Sequence, residues 1–262
     1  MPRIKLKKDN LNEQNANFEH NRLKQPLFLN SVPKSGSHLM RNIMRMFVPL
    51  NQHYKSGFIQ IPSMKVDKVA WNKDKPTLSW GHLLFSDESA LFLRDTRQIL
   101  LARDPYDWVL ARARFFMSDE FQGSLNHIKN NRITVEELLN MMIFGIHRKV
   151  PMLQEIYLHN CVSWLGAKAV LVKFENLVEN VTNLDSDEAE EFFLQLFDDC
   201  GIDPVPDDWR ERVRVGSDRE QSGTARENLT GVVVEVPDEL PDIQKKMVDM
   251  TVPGLRNLLG YE

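Results

Sequence analysis

Apolar residues recur along this chain in two alternating rhythms. Leu27-Phe-Leu-Asn-Ser-Val32, entered through Pro26, reads as a buried strand, and residues 37–48 follow with Leu39, Met40, Ile43, Met44 and Phe47 at helical spacing. Residues 76–80 and 97–102 read as two further strands. The second leads into a helix opened by Pro105, whose fixed φ and missing N–H suit a first helical position. Thr134-Val-Glu-Glu137 is a capping box ahead of Leu138, Leu139, Met142 and Ile143. Residues 150–164 read as helical and residues 168–174 as a β-branched strand. Residues 185–200 form a helix with an acidic start and Gly201 as its stop. Strands alternating with helices predict the α/β class: a single domain with a central parallel sheet flanked by helices. Residues 1–25 are polar and predict a flexible or loosely docked arm, with a short surface helix as the equal alternative. Residues 26–262 then form the α/β domain.

The chemistry concentrates where two of these strands end. Behind the first, Lys34-Ser-Gly-Ser37 forms a short loop into a helix. Backbone N–H groups at a helix start are unpaired and lie at the positive end of the dipole. Gly36 predicts close approach of that backbone to a ligand, Lys34 adds a point charge, and Ser35 and Ser37 add hydroxyl donors. Together they predict a P-loop-like cradle for a phosphate or sulfate. The order is not that of a Walker A loop, which places Lys after its second Gly. The plainer alternative is a strand–turn–helix with a capping serine. Behind the strand over 97–102, Arg103-Asp-Pro-Tyr-Asp107 is again a charged turn into a helix. The carboxyl ends of strands in open α/β sheets are where ligands bind; the competing reading is a surface Arg103–Asp107 pair.

These two segments resemble a known family. Val32-Pro-Lys-Ser-Gly-Ser-His38 resembles the 5′-phosphosulfate loop of sulfotransferases that use 3′-phosphoadenosine 5′-phosphosulfate (PAPS). Arg103-Asp-Pro-Tyr-Asp-Trp-Val-Leu-Ala111 resembles their 3′-phosphate motif, Arg-x-Pro-x-Asp-x-x-x-Ser. Trp80-Gly-His-Leu-Leu84 resembles the strand end with the family's catalytic histidine. Leu171-Val-Lys-Phe-Glu-Asn-Leu177 resembles its Tyr-Glu-Asp-Leu strand, residues 193–203 the helix after it, and Leu258-Leu-Gly-Tyr261 a common C-terminal ending. Gln221–Leu229 aligns with the late Arg-Lys-Gly-x-x-Gly segment in degenerate form, offering Gly223 and Arg226, with Arg219 beside them. The resemblance implies PAPS as co-substrate, no metal, and a small-molecule or carbohydrate hydroxyl acceptor. It places Lys34, Ser35, Gly36, Ser37, His38, Arg103, Gly223 and Arg226 around the donor, with His82 and Lys34 as the catalytic pair.

Two departures bear on donor binding. The family's Ser is Ala111, so one hydroxyl contact to the 3′-phosphate is missing, with Arg112 and Arg114 as candidate replacements. The aromatic that closes the first loop's motif is Leu39. The chemistry fits the residues. Sulfuryl transfer needs a base for the acceptor proton and positive charge on the leaving phosphate. His82 titrates in the right range for the first, with His38 as its rival, and Lys34 supplies the second. The alternatives are a nucleotide-dependent kinase, disfavoured by the loop order and the lack of metal-binding residues, and a non-catalytic adenine-nucleotide-binding relic of the fold, which Ala111 and the degenerate late motif support and the intact Lys34, Arg103 and His82 oppose.

Composition narrows the rest. The 262 residues are 42% hydrophobic and 27% charged, which excludes a disordered or fibrous chain. Lys+Arg 33 against Asp+Glu 37 gives a net −4, so no nucleic-acid-coating surface is expected. No apolar run is long enough for a membrane span, and the basic start lacks the apolar stretch of a secretory signal. Two cysteines, Cys161 and Cys200, build neither a disulfide framework nor a zinc cluster; a reducing cytoplasmic setting is expected. Met40, Met44 and Met46 read as helix packing. Trp108, Phe115 and Phe116 read as buried helix aromatics or as the border of an acceptor pocket.

Overall fold

The computed structural model describes residues 3–4, 7–123, 125–129, 132–225 and 235–262. In chain order the strands are β1 (Arg3–Ile4), β2 (Leu27–Ser31), β3 (His53–Ile59), β4 (Leu78–Gly81), β5 (Arg97–Ala102), β6 (Phe121–Gln122) and β7 (Ala169–Lys173). The helices are α1 (Leu11–Asn15), α2 (Ser37–Arg45), α3 (Asp87–Phe92), α4 (Pro105–Met117), α5 (Val135–Phe144), α6 (Leu153–Asn160), α7 (Phe174–Thr182), α8 (Asp187–Cys200), α9 (Trp209–Ser217), α10 (Asp242–Thr251) and α11 (Leu255–Leu258). Two compact units emerge: Lys8–Ala102 with His159–Ser222, and Met1–Lys7 with Arg103–Leu158 and Gly223–Glu262.

The first unit holds a five-stranded sheet in the order β3-β4-β2-β5-β7, parallel throughout. This is the α/β architecture that the strand–helix alternation predicts. β2 and β5 lie inside the sheet, and their apolar runs are covered on both faces. On one face Leu27, Leu29, Ile99 and Leu101 pack with Met40, Ile43 and Met44 of α2, Leu177 of α7, Phe193 and Phe197 of α8, and Val213 of α9. On the other, Phe28 meets the Trp71 ring edge-on at 6.2 Å, and Trp71 lies 5.5 Å from Phe92 of α3. From β2 the chain turns to β3 and β4 on one side, then crosses to β5 on the other. The loop after β2 therefore stands at the topological switch point, where ligands of open α/β sheets bind.

β3 carries no strand signal in its sequence. Among the described residues it is an edge strand paired only with β4, its register slips between His53 and Phe58, and Gly57 interrupts it, so no apolar alternation develops. The polar N-terminal segment contains a short helix, α1, with buried residues of its own. Leu11 of α1 is fully buried, Asn15 donates to the carbonyls of Arg45 (2.6 Å) and Val48 (2.9 Å), and Asp9 pairs with Arg45. A few buried groups satisfied by a neighbouring helix dock a segment whose average composition looks unstructured.

The second unit contains α4, α5, α10, α11 and the antiparallel pair β1–β6. α4 starts as expected: Asp104 caps it by accepting from Tyr106 N–H at 2.9 Å, ahead of Pro105. α5 has the Thr134–Glu137 capping box in both directions. Trp108 is fully buried, and Phe115, Phe116 and Phe121 form one ring cluster. The reading of Trp108 and Phe115 as buried helix aromatics therefore holds. The span 150–164 is helical only as α6 and a single turn at Val162–Trp164.

Candidate functional site

β2 leaves the sheet at Ser31 and reaches α2 through five residues. Two of them have left-handed backbone: Lys34 at φ 69° and Gly36 at φ 84°. Gly36 tolerates this for want of a Cβ, whereas Lys34 holds it against its own preference, as residues do where a site over-determines the backbone. Beside the position a Gly36 Cβ would take lies the Phe174 ring, at 2.3 Å from that point. A close approach at Gly36 is thus made on its missing-Cβ side by the first residue of α7. Ser35 is fully buried, and among the described residues its Oγ has no hydrogen-bond partner. A buried hydroxyl left unsatisfied costs free energy that a bound polar group would recover. Ser37 is the first residue of α2 and half-buried; Leu39 packs against the core.

β4 carries His82 to the same edge. β2 and β4 pair with Asn30 opposite Gly81, so His82 comes level with Ser31. His82 Nδ1 lies 2.8 Å from the Ser31 carbonyl oxygen and 3.0 Å from Ser31 Oγ. A carbonyl only accepts, so Nδ1 carries the proton and Nε2 keeps the lone pair. Burial pushes the His82 pKa down to about 4; the hydrogen bond to Ser31 opposes that shift and the Lys34 charge reinforces it. His82 is therefore neutral at physiological pH with its basic nitrogen defined. His38 is lowered further, to about 3, by burial and by the charges of Arg41 and Lys34.

Residues without a functional signal in the sequence hold this arrangement. Asn30 sits buried in an apolar strand; its Oδ1 accepts from Leu83 N–H at 2.9 Å, and its Nδ2 donates to Leu83 C=O at 3.2 Å. The Trp164 indole N–H and the Asn160 side chain donate to the same carbonyl, at 3.1 and 3.3 Å. The residue after His82 is thus clamped from three sides. Gly81 lets β3 close in, since a Cβ there would meet Ile59 O at 2.0 Å, and His82 N–H donates to that oxygen at 3.1 Å. The Phe58 ring of β3 stands edge-on to both His82 (4.7 Å) and Trp80 (5.0 Å), and His38 stands edge-on to Trp80 at 5.0 Å. The Arg41 guanidinium lies over Trp80 at 4.7 Å. The one available signal was Asn30, a polar residue inside an otherwise apolar run.

Arg103 follows β5 directly and is half-buried. Within its own unit, the Tyr157 hydroxyl donates to its carbonyl at 2.8 Å. The next residue, Asp104, makes an ion pair with Arg256 at 2.9 Å, and Arg256 lies over the Tyr106 ring. Arg112 and Arg114, the candidate replacements for the missing serine, are engaged elsewhere. Arg112 is 3% exposed and donates to the carbonyls of Met142 and Pro151. Arg114 donates to Pro237 C=O and pairs with Asp238. Of the late motif, Gly223 is buried, Arg219 is exposed in a short turn at Arg219–Gln221, and Arg226 lies outside the described residues. Among the described residues no cluster of three potential metal ligands occurs, and no helix is long and apolar enough to cross a membrane. Burial pushes the Cys161 thiol up to about 12 and the Cys200 thiol upward as well, so both are inert packing residues.

No family model and no curated protein matches this sequence. Solved structures do match its fold. Mouse sulfotransferase SULT7A1 complexed with PAP superposes with a TM-score of 0.56 at 12% identity, covering 95% of this chain and 91% of that one. Retinol dehydratase in complex with androsterone and inactive cofactor PAP superposes with a TM-score of 0.52 at 10% identity, over 92% and 83%. The chain has the fold of the PAPS-dependent sulfotransferases.

Proposed function

We propose that this protein moves a sulfuryl group from PAPS to a hydroxyl or amine acceptor, with His82 as general base. The observation that carries the reading is His82 itself, a neutral imidazole with Nδ1–H tied to Ser31 C=O and Nε2 basic, level with the loop that bears Lys34. In the reaction the acceptor oxygen forms a bond to sulfur while the sulfur–oxygen bond to the 5′-phosphate breaks. The electron pair of that bond stays on the phosphate oxygen, and the acceptor proton passes to His82 Nε2. Lys34 offsets the charge gathering on the leaving oxygen, and the unsatisfied Ser35 hydroxyl suits a phosphate oxygen. Arg103 takes the 3′-phosphate as a charge-assisted, bidentate donor. With Arg112 and Arg114 committed to backbone carbonyls, nothing from those positions replaces the hydroxyl missing at Ala111.

Calorimetric titration with adenosine 3′,5′-bisphosphate, AMP and ATP, followed by turnover with labelled PAPS, tests the reading. The bisphosphate should bind more tightly than AMP or ATP, and Ala111→Ser should tighten it by about 1 kcal/mol. His82→Ala should lower turnover by ~10²–10⁴ with bisphosphate affinity nearly intact; Lys34→Ala should damage both. Equal affinity for AMP and bisphosphate would remove the 3′-phosphate pocket. Loss of turnover in His38→Ala but not in His82→Ala would move the base. Tight bisphosphate binding without transfer to any hydroxyl acceptor would make the chain a non-catalytic nucleotide binder.

A further inference from the structure

α2 presents two arginines on one face, four residues apart, and one carboxylate stands near them. Arg45 takes it whole: its two terminal nitrogens donate to the Asp9 oxygens at 2.9 and 3.0 Å, and one also reaches Asn12 Oδ1 at 2.8 Å. Arg41 has neither a carboxylate nor a hydrogen-bond acceptor among the described residues, and its guanidinium rests on the face of Trp80. Burial lowers its pKa only to about 10, so it is fully charged at neutral pH. Asp9 helps it only through its field, both carboxylate oxygens being bonded to Arg45, so a half-buried guanidinium is left with hydrogen-bond donors that an incoming anion would satisfy.

Under the reading above Lys34 serves the donor's leaving phosphate, whereas Arg41 stands over Trp80, two residues before His82 in the same unit, which points Arg41 at the acceptor. Trp80 and His82 are two residues apart on an extended segment and share the Phe58 ring as a neighbour, a spacing of about 7 Å on one side of the chain. A guanidinium stacked on an indole keeps its edge available for an oxyanion, which is the geometry that favours arginine over lysine.

We propose that the acceptor is itself an anion: a hydroxyl compound with a carboxylate, sulfate or phosphate roughly 7 Å from the reacting oxygen. Arg41 holds the anionic group over Trp80, and the apolar body of the acceptor lies along Phe58. Arg41 is thereby a specificity-determining residue. The proposal rests on the sulfotransfer reading for the identity of the reacting group, but the anion site is testable without turnover.

The test is calorimetric titration of the bisphosphate-loaded protein with 4-hydroxyphenylacetate, its methyl ester and 4-hydroxybenzenesulfonate. The acid or the sulfonate should bind at least about tenfold more tightly than the neutral ester, and which of the two is preferred identifies the oxyanion. Arg41→Met keeps the stem on Trp80 and should abolish the preference; Arg41→Lys should keep part of it. Bisphosphate affinity should be the same in all three proteins. Equal binding of acid and ester by the native chain, no binding of any of the three, or an undiminished preference in Arg41→Met would overturn the proposal. So would a fall in bisphosphate affinity in Arg41→Met, which would assign the guanidinium to the donor. Arg41-dependent binding of the acid with no sulfuryl transfer would leave the anion site standing and remove the sulfotransfer reading instead.

Discussion

Asn30 shows how much one buried polar side chain decides. Its amide replaces the backbone partners that Leu83 lacks beyond the end of β4, and so sets the direction in which His82 leaves the sheet. Asn30→Ala leaves the Leu83 N–H without that partner, whereas Leu83 C=O retains the Trp164 and Asn160 donors. The expected cost is about 1–3 kcal/mol of stability in urea unfolding. On the proposed sulfotransfer reading, turnover should fall more than donor affinity does, because the lost bond orients His82 rather than the Lys34–Ser37 loop. A variant with native stability and native turnover would show that the clamp on Leu83 is dispensable. Lys34 makes the same point at backbone level. The residue assigned to the leaving phosphate holds φ 69°, a conformation most side chains avoid.

Among the elements, β3 matters more than its weak pattern suggests. It supplies the Phe58 ring beside His82 and accepts from His82 N–H through Ile59. Its approach depends on Gly81, where any side chain would run into Ile59 O. Gly81→Ala should therefore push β3 off β4, cost about 1–3 kcal/mol, and free the His82 ring. Thermal melting and His82 ring chemical shifts check both consequences, and unchanged shifts would mean that β3 plays no part in seating the base. The contrast with α5 is physical. Its capping box is a contact between residues three apart and is legible in any window of sequence, whereas the β3–β4 contact joins residues brought together only by the sheet.

At the scale of the whole molecule, the larger unit buries several histidines in neutral form. His38 is held at about 3, His53 at about 4 and His82 at about 4, in each case chiefly by burial. Unfolding returns each to near 6.5, so below that pH the unfolded chain binds more protons than the folded one. The stability these groups contribute is fully present above pH 6.5 and is lost as pH falls from there toward 4. Each histidine should account for about 1–2 kcal/mol between pH 7 and 5. Urea midpoints measured at pH 7, 6 and 5 should fall steadily, and His53→Gln, outside the proposed site, should flatten the slope. A midpoint flat across that range would mean these rings accept protons in the folded state.

What the sequence settles by itself is whatever depends on near neighbours. Residues 97–102 form the strand their pattern predicts, Asp104 and Thr134 cap the helices that follow them, and Gly201 ends α8 in a left-handed turn. The loop at Lys34–Ser37 is legible for the same reason, since a charged Gly-containing turn between strand and helix is a local pattern. Tertiary structure decides which of these local pieces meet. It brings Phe174 against Gly36, Ser31 to the ring of His82, and Asn30 to Leu83, pairs separated by dozens of residues. It also decides the fate of charges. Arg112 and Arg114 look like phosphate ligands beside Arg103 but turn to backbone carbonyls, while Arg41, unremarkable in the sequence, makes no ion pair among the described residues because Arg45 takes both oxygens of Asp9, which reaches Arg41 only through its field. Hydrogen bonds and ion pairs across a fold are set by geometry that no short window of residues encodes, which is why the turn at Lys34–Ser37 is legible in the sequence and the surroundings of His82 are not.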